Sequence, residues 1–236
     1  MRNRGVVIAI DGPSGAGKST LTALLAERLG YLHIDTGALY RTLALLVKRT
    51  GVAPDDHSAV EAVCRKAVIG FRRDAGHCRV MAGDEDVTGA IRTPEISMLT
   101  SQISAQAAVR EVLLSLQRQM GRDGGVILEG RDIGTVVFPD AEVKFFLSAS
   151  ADERGLRRFL ELQEKGSTAT LEETIAEVVR RDRQDADREL APLRKGADAV
   201  EIDSTGETIA SVLERMERLV REYLSTSAAS ERRGSA

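Results

Sequence analysis

Gly12-Pro13-Ser14-Gly15-Ala16-Gly17-Lys18-Ser19 fits the pattern GxxxxGK[ST], and its setting constrains the chain more than any other stretch. Upstream, Val6-Val7-Ile8-Ala9-Ile10 is a short apolar run rich in β-branched residues, which predicts a strand buried on both faces in a parallel sheet. Downstream, Lys18–Leu29 carries a helical pattern. Between them, glycines let successive backbone N–H groups turn inward around a polyphosphate, and the helix N-terminus adds its dipole. Lys18 is expected on the β- and γ-phosphates and the Ser19 hydroxyl on Mg2+, with Gly12, Pro13, Ser14, Gly15, Ala16, Gly17 and Thr20 completing an ATP or GTP site.

Similar apolar runs recur at 125–128, 143–147 and 199–202, with a shorter one at Leu32-His33-Ile34. Helical patterns lie between them, at 38–49, 58–68, 94–122, 151–165, 171–187 and 207–224. That alternation predicts an α/β fold of three layers around a central parallel sheet. Between Ile69 and Ala90 the texture changes to alternating residues with turn signals at Ala75-Gly76 and Gly83-Asp84-Glu85, a hairpin that reads as an insertion. Residues 226–236 hold little apolar content and are expected to form a disordered tail.

At 236 residues the chain suits one large domain, residues 1–225, whose core needs no metal or disulfide staple. Its 33 Lys+Arg against 36 Asp+Glu give a net charge of -3, which disfavours nucleic acid as a partner. No stretch reaches about 18 apolar residues, so no membrane span is expected, and nothing suggests a leader segment. A cytoplasmic protein is the expectation. His33, His57 and His77 lack ligand spacing, so no protein-held zinc is expected, while Cys64 and Cys78 leave one disulfide open. The only asparagine is Asn3, which removes both the Asn-Lys-x-Asp guanine reader and the protein-kinase catalytic loop.

Three further clusters are candidates for an acceptor site. Asp35-Thr36-Gly37-Ala38-Leu39-Tyr40-Arg41 runs from a strand end into a helix, the edge of an α/β sheet where ligands bind. Asp35 could act near the metal or the acceptor oxygen and Arg41 could reach an anion, unless the segment is simply a capped helix start. Glu129-Gly130-Arg131-Asp132 follows a strand and places an acid where a second magnesium-linked carboxylate would stand, unless it is simply a turn with a local ion pair. In 181–188, a helix would put Arg181, Asp185 and Arg188 on one face, as either an anion-binding surface or a solvated salt-bridged one. Arg154, Arg157 and Arg158 are spaced to swing over phosphates as part of a mobile lid, with a plain amphipathic helix as the alternative.

In this order and from about Val6 to Tyr223, the chain resembles the bacterial cytidylate kinases, nucleoside monophosphate kinases that phosphorylate CMP and dCMP from ATP. The segments that carry the resemblance are 10–19, 35–41, Ile91-Arg92-Thr93-Pro94-Glu95, 130–139 and 181–188, with 83–88 resembling the insert of the family's long form. It implies a core of 5–50, 122–150 and 195–225, a CMP-binding insertion at about 55–110 and a helical lid at about 151–190. By similarity Lys18, Asp35, Arg41 and Arg131 would act at the transferred group, with Arg41 and Arg131 gripping the CMP phosphate. Ser101, Arg110, Asp132 and Arg188 would read cytosine, Arg181 with Asp185 would hold the ribose, and Thr36 and Tyr40 would complete the CMP site. Arg154, Arg157 and Arg158 would serve ATP, Ser19 and Glu129 the Mg2+, and the enzyme would work as a monomer without an obligate protein partner.

Cytosine offers an amino donor beside ring acceptors, so a carboxylate opposite the amine and Arg or Ser donors opposite the acceptors suit it. Ser101 and Arg110 are nine residues apart, and at about 100° per residue a straight helix would place them on opposite faces, so the helix must break between them. The family often has proline there, whereas this chain has Ala105-Gln106-Ala107-Ala108-Val109, and Glu129 stands where aspartate is also common. Two rivals stay open: a P-loop kinase of another small acceptor, such as another nucleotide or shikimate, and a noncatalytic ATP-binding protein.

Overall fold

The computed structural model describes residues 5–74, 77–164 and 166–234. Its elements run β1 (Val7–Asp11), α1 (Lys18–Leu29), β2 (Leu32–Asp35), α2 (Thr36–Thr50), α3 (His57–Lys66), β3 (Ile69–Asp74), β4 (His77–Ala82) and β5 (Glu85–Asp86). They continue with α4 (Pro94–Ile103), α5 (Ala107–Gly121), β6 (Val126–Gly130), β7 (Val143–Ser148), α6 (Ala151–Glu164), α7 (Leu171–Ala186), β8 (Val200–Asp203) and α8 (Ile209–Gly234). A π-helical turn, Ile133–Val137, follows β6. The chain divides into two compact units, Met1–Leu32 with Gly124–Ala236, and His33–Asp123.

The first unit is built on the expected sheet, of order β2-β6-β1-β7-β8. β1 runs parallel to β6, Val7 opposite Val126 through Asp11 opposite Gly130, and parallel to β7 on its other side. Every residue of β1 is buried, which is why Val7 to Ile10 are continuously apolar rather than alternating, with Asp11 the one charge at the strand's end. Ile8, Ile10, Phe145, Leu147 and Ile202 from the strands pack with Leu25 of α1 and Met216 and Val220 of α8. Burying each such side chain contributes about 1.5–3 kcal/mol.

α6 and α7 belong to this unit. α7 opens with a capping box: Glu173 N–H donates to Thr170 Oγ1 at 3.2 Å, and Thr170 N–H donates to Glu173 Oε2 at 2.8 Å. It closes at Ala186, so Arg188 lies past the helix and not on its face. α8 continues to Gly234, through most of the segment whose composition pointed to disorder. Ala228, Ala229, Glu231, Arg232 and Arg233 are acceptable helix formers, and no glycine or proline interrupts α8 before Gly234. Among the described residues no helix is long and apolar enough to cross a membrane.

The second unit packs α2, α3, α4 and α5 with the antiparallel sheet β3-β4-β5. Ile69 faces Ala82 and Phe71 faces Val80 in the expected hairpin, whose tip, residues 75–76, lies outside the described residues. This unit is wider than 55–110 because α2 shares its core: Leu39, Leu43 and Val47 pack in one cluster with Ile91, Ile103 and Leu113. α2 therefore counts with this unit and not with the sheet. Cys64 is a free, buried thiol in the same cluster, and burial pushes it up; the Cys78 side chain lies outside the described residues.

The stretch read as one helix from 94 to 122 is two, with the required break at Ser104-Ala105-Gln106. No proline makes it. Gln106 is extended, with φ -76 and ψ 132, and its Nε2 donates to Pro54 O at 2.7 Å, so a side-chain amide fastens the corner to a distant loop.

Candidate active site

In the first unit, β1 leads directly into the glycine-rich loop and α1 leads out of it. Gly12 has φ +149, and a Cβ there would lie 1.9 Å from Leu147 O, so only glycine lets the loop leave the sheet this close to β7. Gly17, at φ 86, precedes α1 without a side-chain cap, which leaves the N–H groups of the first turn available to an anion.

Lys18 is buried, and its Nζ donates to Gly12 O at 2.7 Å and Pro13 O at 2.6 Å. Burial, and then the charge of Arg131, hold this ammonium well below the ordinary lysine range. Ser19 Oγ donates to Glu129 Oε2 at 2.8 Å, and Glu129 is buried at the end of β6. The hydroxyl and carboxylate expected to serve Mg2+ are thus neighbours, and an all-oxygen pair suits a hard cation. Among the described residues no cluster of three or more His, Cys, Asp and Glu could hold a metal. A cation carried largely by nucleotide phosphates needs none.

The arginine–carboxylate run comes together around Asp185. Arg131 Nε donates to Asp185 Oδ2 at 2.7 Å, and Arg188 Nη2 lies 3.3 Å from Asp185 Oδ1. Burial works against ionising Asp185, but Arg131, Arg188 and Arg181 outweigh it and hold the carboxyl below its usual range. Asp132, one residue past Arg131, is buried. Arg131 and Arg188 thus meet on Asp185, whose side chain is only 16% exposed, with Arg181 adding its charge.

The three lid arginines differ. Arg154 is buried: its guanidinium donates to Ala149 O at 2.8 Å, Ser14 O at 3.0 Å, and both oxygens of Asp182 at 3.0 and 2.5 Å. Arg157 reaches Ser204 O at 3.0 Å and Glu153 at 3.1 Å, whereas Arg158 is exposed and pairs with Glu161 at 3.0 Å.

In the second unit, Asp35 caps α2, its Oδ1 accepting from Ala38 N–H at 3.1 Å, while its other oxygen lies 4.0 Å from Arg41. Thr36 is buried beside them. The Arg110 guanidinium sits 5.9 Å from the Tyr40 ring centroid, a cation–π contact, and donates to Ser104 O at 3.5 Å. Ser101 is exposed on α4, its hydroxyl donating to Ser97 O at 3.2 Å.

Two residues absent from the sequence reading support the site. Asp11 accepts Ile133 N–H at 2.8 Å and Gly134 N–H at 2.7 Å, and burial pushes its carboxyl up to about 6. Lys144, buried on β7, donates to Pro139 O at 2.6 Å and Asp198 at 2.7 Å. The available signal was a charge within, or closing, an otherwise apolar strand.

Comparison with known proteins agrees with this chemistry. The description "Cytidylate kinase" belongs to the family profile that matches residues 8–222. A cytidylate kinase of Geobacter sulfurreducens is 65% identical over 219 residues, covering 93% of this chain and 94% of that one. Another, from Citrifermentans bemidjiense, is 63% identical over 224 residues, covering 95% and 96%. A solved structure of an uncharacterized protein from Eubacterium ventriosum shares the fold alone, with TM-score 0.51 and 11% identity over 92% of this chain and 98% of that chain. With the cradle, the Ser19–Glu129 pair and the arginines around Asp185 all inside the matched span, the chain belongs to the cytidylate kinase family.

Proposed function

We propose that the protein transfers the γ-phosphoryl group of ATP to the phosphate of CMP or dCMP, giving ADP and CDP or dCDP. The observation that carries this reading is the Arg131–Asp185–Arg188 cluster, in the same unit as the cradle and within the span that matches the family. The N–H groups of the loop and α1 hold the ATP phosphates, and Lys18 leaves its carbonyl partners to reach the transferred group. Ser19 and Glu129, already neighbours, would hold a Mg2+ bound with ATP, which would supply charge neutralisation on the phosphates.

Arg41 and Arg131 grip the acceptor phosphate, whose oxygen attacks in line, so no covalent intermediate is needed. Arg181 and Asp185 take the ribose, and Thr36 and Tyr40 line the nucleoside. Asp132 accepts from the cytosine amine, while Ser101, Arg110 and Arg188 donate to its acceptors. UMP would set its O4 against a carboxylate, at about 1–3 kcal/mol for each group left unpaired. The α6–α7 pair acts as the lid that excludes water, with Arg157 and Arg158 leaving Ser204, Glu153 and Glu161 to turn toward ATP. The enzyme works as a cytoplasmic monomer on free nucleotides, with no nucleic acid or membrane and no obligate protein partner.

The test is ADP release with ATP and Mg2+ against CMP, dCMP, UMP, AMP, dTMP and shikimate, with and without Arg188→Ala. Strong CMP and dCMP turnover that the substitution abolishes is the expected result. Preference for another acceptor would overturn the cytosine pocket, and no turnover at all would leave only nucleotide binding.

A further inference from the structure

Asp11 closes β1, immediately before the phosphate cradle, and is only 5% exposed. Both its oxygens are used, Oδ1 accepting from Ile133 N–H at 2.8 Å and Oδ2 from Gly134 N–H at 2.7 Å. These two residues open the π-helical turn, whose own bonds begin later, with Val136 and Val137 N–H donating to Asp132 O at 2.9 and 3.1 Å. The first amides of a turn have no partner within it, so the turn is capped from outside, by a different strand. A carboxylate is the short side chain that presents two acceptors and no donor. Asparagine would set its NH2 against one of the two N–H groups.

The turn is also gripped from β7. A Cβ on Gly134 would lie 3.2 Å from Lys144 Cδ and 3.4 Å from Asp11 Oδ2, so the backbone here sits against both side chains with no room to spare. Arg131 and Asp132 are thereby pinned at both ends. Gly130 precedes them in the β6 ladder, paired in register with Asp11 itself, and Ile133-Gly134 follows them on the Asp11 carboxylate. One residue therefore sets the cradle's entry strand and the arginine-bearing segment in register with each other. Misplacing a substrate-positioning group by about 1 Å can cost on the order of a hundredfold in rate.

We propose that Asp11 is a positioning residue for the acceptor: by capping the 133–137 turn it holds Arg131 and Asp132 where they meet CMP. This rests on the reading that those two residues contact CMP. A purely structural Asp11 would instead lower stability, or weaken both nucleotides alike.

The experiment is steady-state kinetics of the full chain, varying CMP at saturating ATP and ATP at saturating CMP, for Asp11→Asn, Gly134→Ala and Arg131→Ala, with thermal midpoints alongside. Loss of one buried hydrogen bond in Asp11→Asn, or the shift that a Cβ 3.2 Å from Lys144 Cδ imposes in Gly134→Ala, should raise KM for CMP about tenfold or more and leave KM for ATP within about threefold. Equal rises for the two nucleotides, or a lower midpoint with unchanged KM for CMP, overturn the proposal. Arg131→Ala separates the two failures. If it leaves KM for CMP unchanged, the reading of Arg131 falls and the inference with it. If it raises KM while the other two variants do not, the inference alone falls. Should Asp11→Asn not accumulate as folded protein, Gly134→Ala decides.

Discussion

Replacing Arg154 with alanine separates two roles for one arginine. Its spacing with Arg157 and Arg158 suggests a side chain that swings over phosphates, whereas the structure buries it as a strut. Its side chain is 6% exposed, and its four bonds tie Ser14 of the cradle, Ala149 before α6 and Asp182 of α7 together. Alanine would strand two carbonyls and a carboxylate that is itself one quarter exposed. Removing one partner of a buried pair costs about 3–5 kcal/mol, and the access of Asp182 to water puts the expected loss near the lower end, about 3 kcal/mol. For a chain of this size that is a fall of roughly 6–12 °C in thermal midpoint. Arg158→Ala is the control, since its exposed pair with Glu161 should change stability by less than about 0.5 kcal/mol. Denaturant unfolding of both variants, with an Arg154/Asp182 double-mutant cycle, measures the difference. A loss below about 1 kcal/mol for Arg154→Ala, accompanied by a higher KM for ATP, would refute the strut.

Asp11 predicts a pH signature. Burial pushes its carboxyl up to about 6 in the fold, above the ordinary aspartate value of about 3.9, so the folded state binds the proton more tightly, and stability present below about pH 4 is lost as pH rises through about 6. The stability of Asp11→Asn relative to the parent should therefore rise by about 2 kcal/mol from pH 4 to pH 7, and a flat difference in paired denaturation curves would contradict the assignment. Gln106→Ala removes the bond to Pro54 O, so stability should drop by about 0.5–1.5 kcal/mol and KM for CMP should rise while KM for ATP holds, checked by unfolding and kinetics. Gly12→Ala places a Cβ 1.9 Å from Leu147 O, and the expected outcome is loss of ATP binding or of soluble protein, read by calorimetry and yield.

Much of this architecture was legible because it rests on local pattern. Lys18–Leu29 is a helix at the bounds its sequence suggests, and the apolar runs at 6–10, 125–128, 143–147 and 199–202 are the strands β1, β6, β7 and β8 to within two residues. The break between α4 and α5 is expected only because the family resemblance sets Ser101 and Arg110 on one ligand, which a straight helix would not allow; the local pattern alone reads as one helix. What fastens that break was not legible, because Gln106 finds Pro54 fifty-two residues away and nothing in either residue type announces the pairing. The tail misled for a related reason: low apolar content argues against a packed core, but a helix needs only tolerable propensity once α8 has been nucleated against the sheet.

Charged residues divide along the same line. Arg181, Asp185 and Arg188 stand out in the sequence because they cluster, as does Arg131 in its own run after a strand, and the fold brings Arg131 and Arg188 onto Asp185 with the charge of Arg181 added. Asp11 and Lys144 are single charges in apolar strands and Arg154 lies in a charged helix, yet each is held by backbone groups brought near by the fold, with Asp198 and Asp182 completing the bonds of Lys144 and Arg154. A buried charge is tolerated only where such partners satisfy it. A charge inside a fully buried strand is therefore itself the signal: Asp11 ends a run that has no polar neighbour in its strand, so its partners had to come from another part of the chain. The strand pairing supplies them, since β6 lies next to β1 and the segment leaving β6 turns back over the end of β1. Once the sheet order is known, the partner of Asp11 is narrowed to the residues just past Gly130, where the arginine and carboxylate assigned to the acceptor also lie.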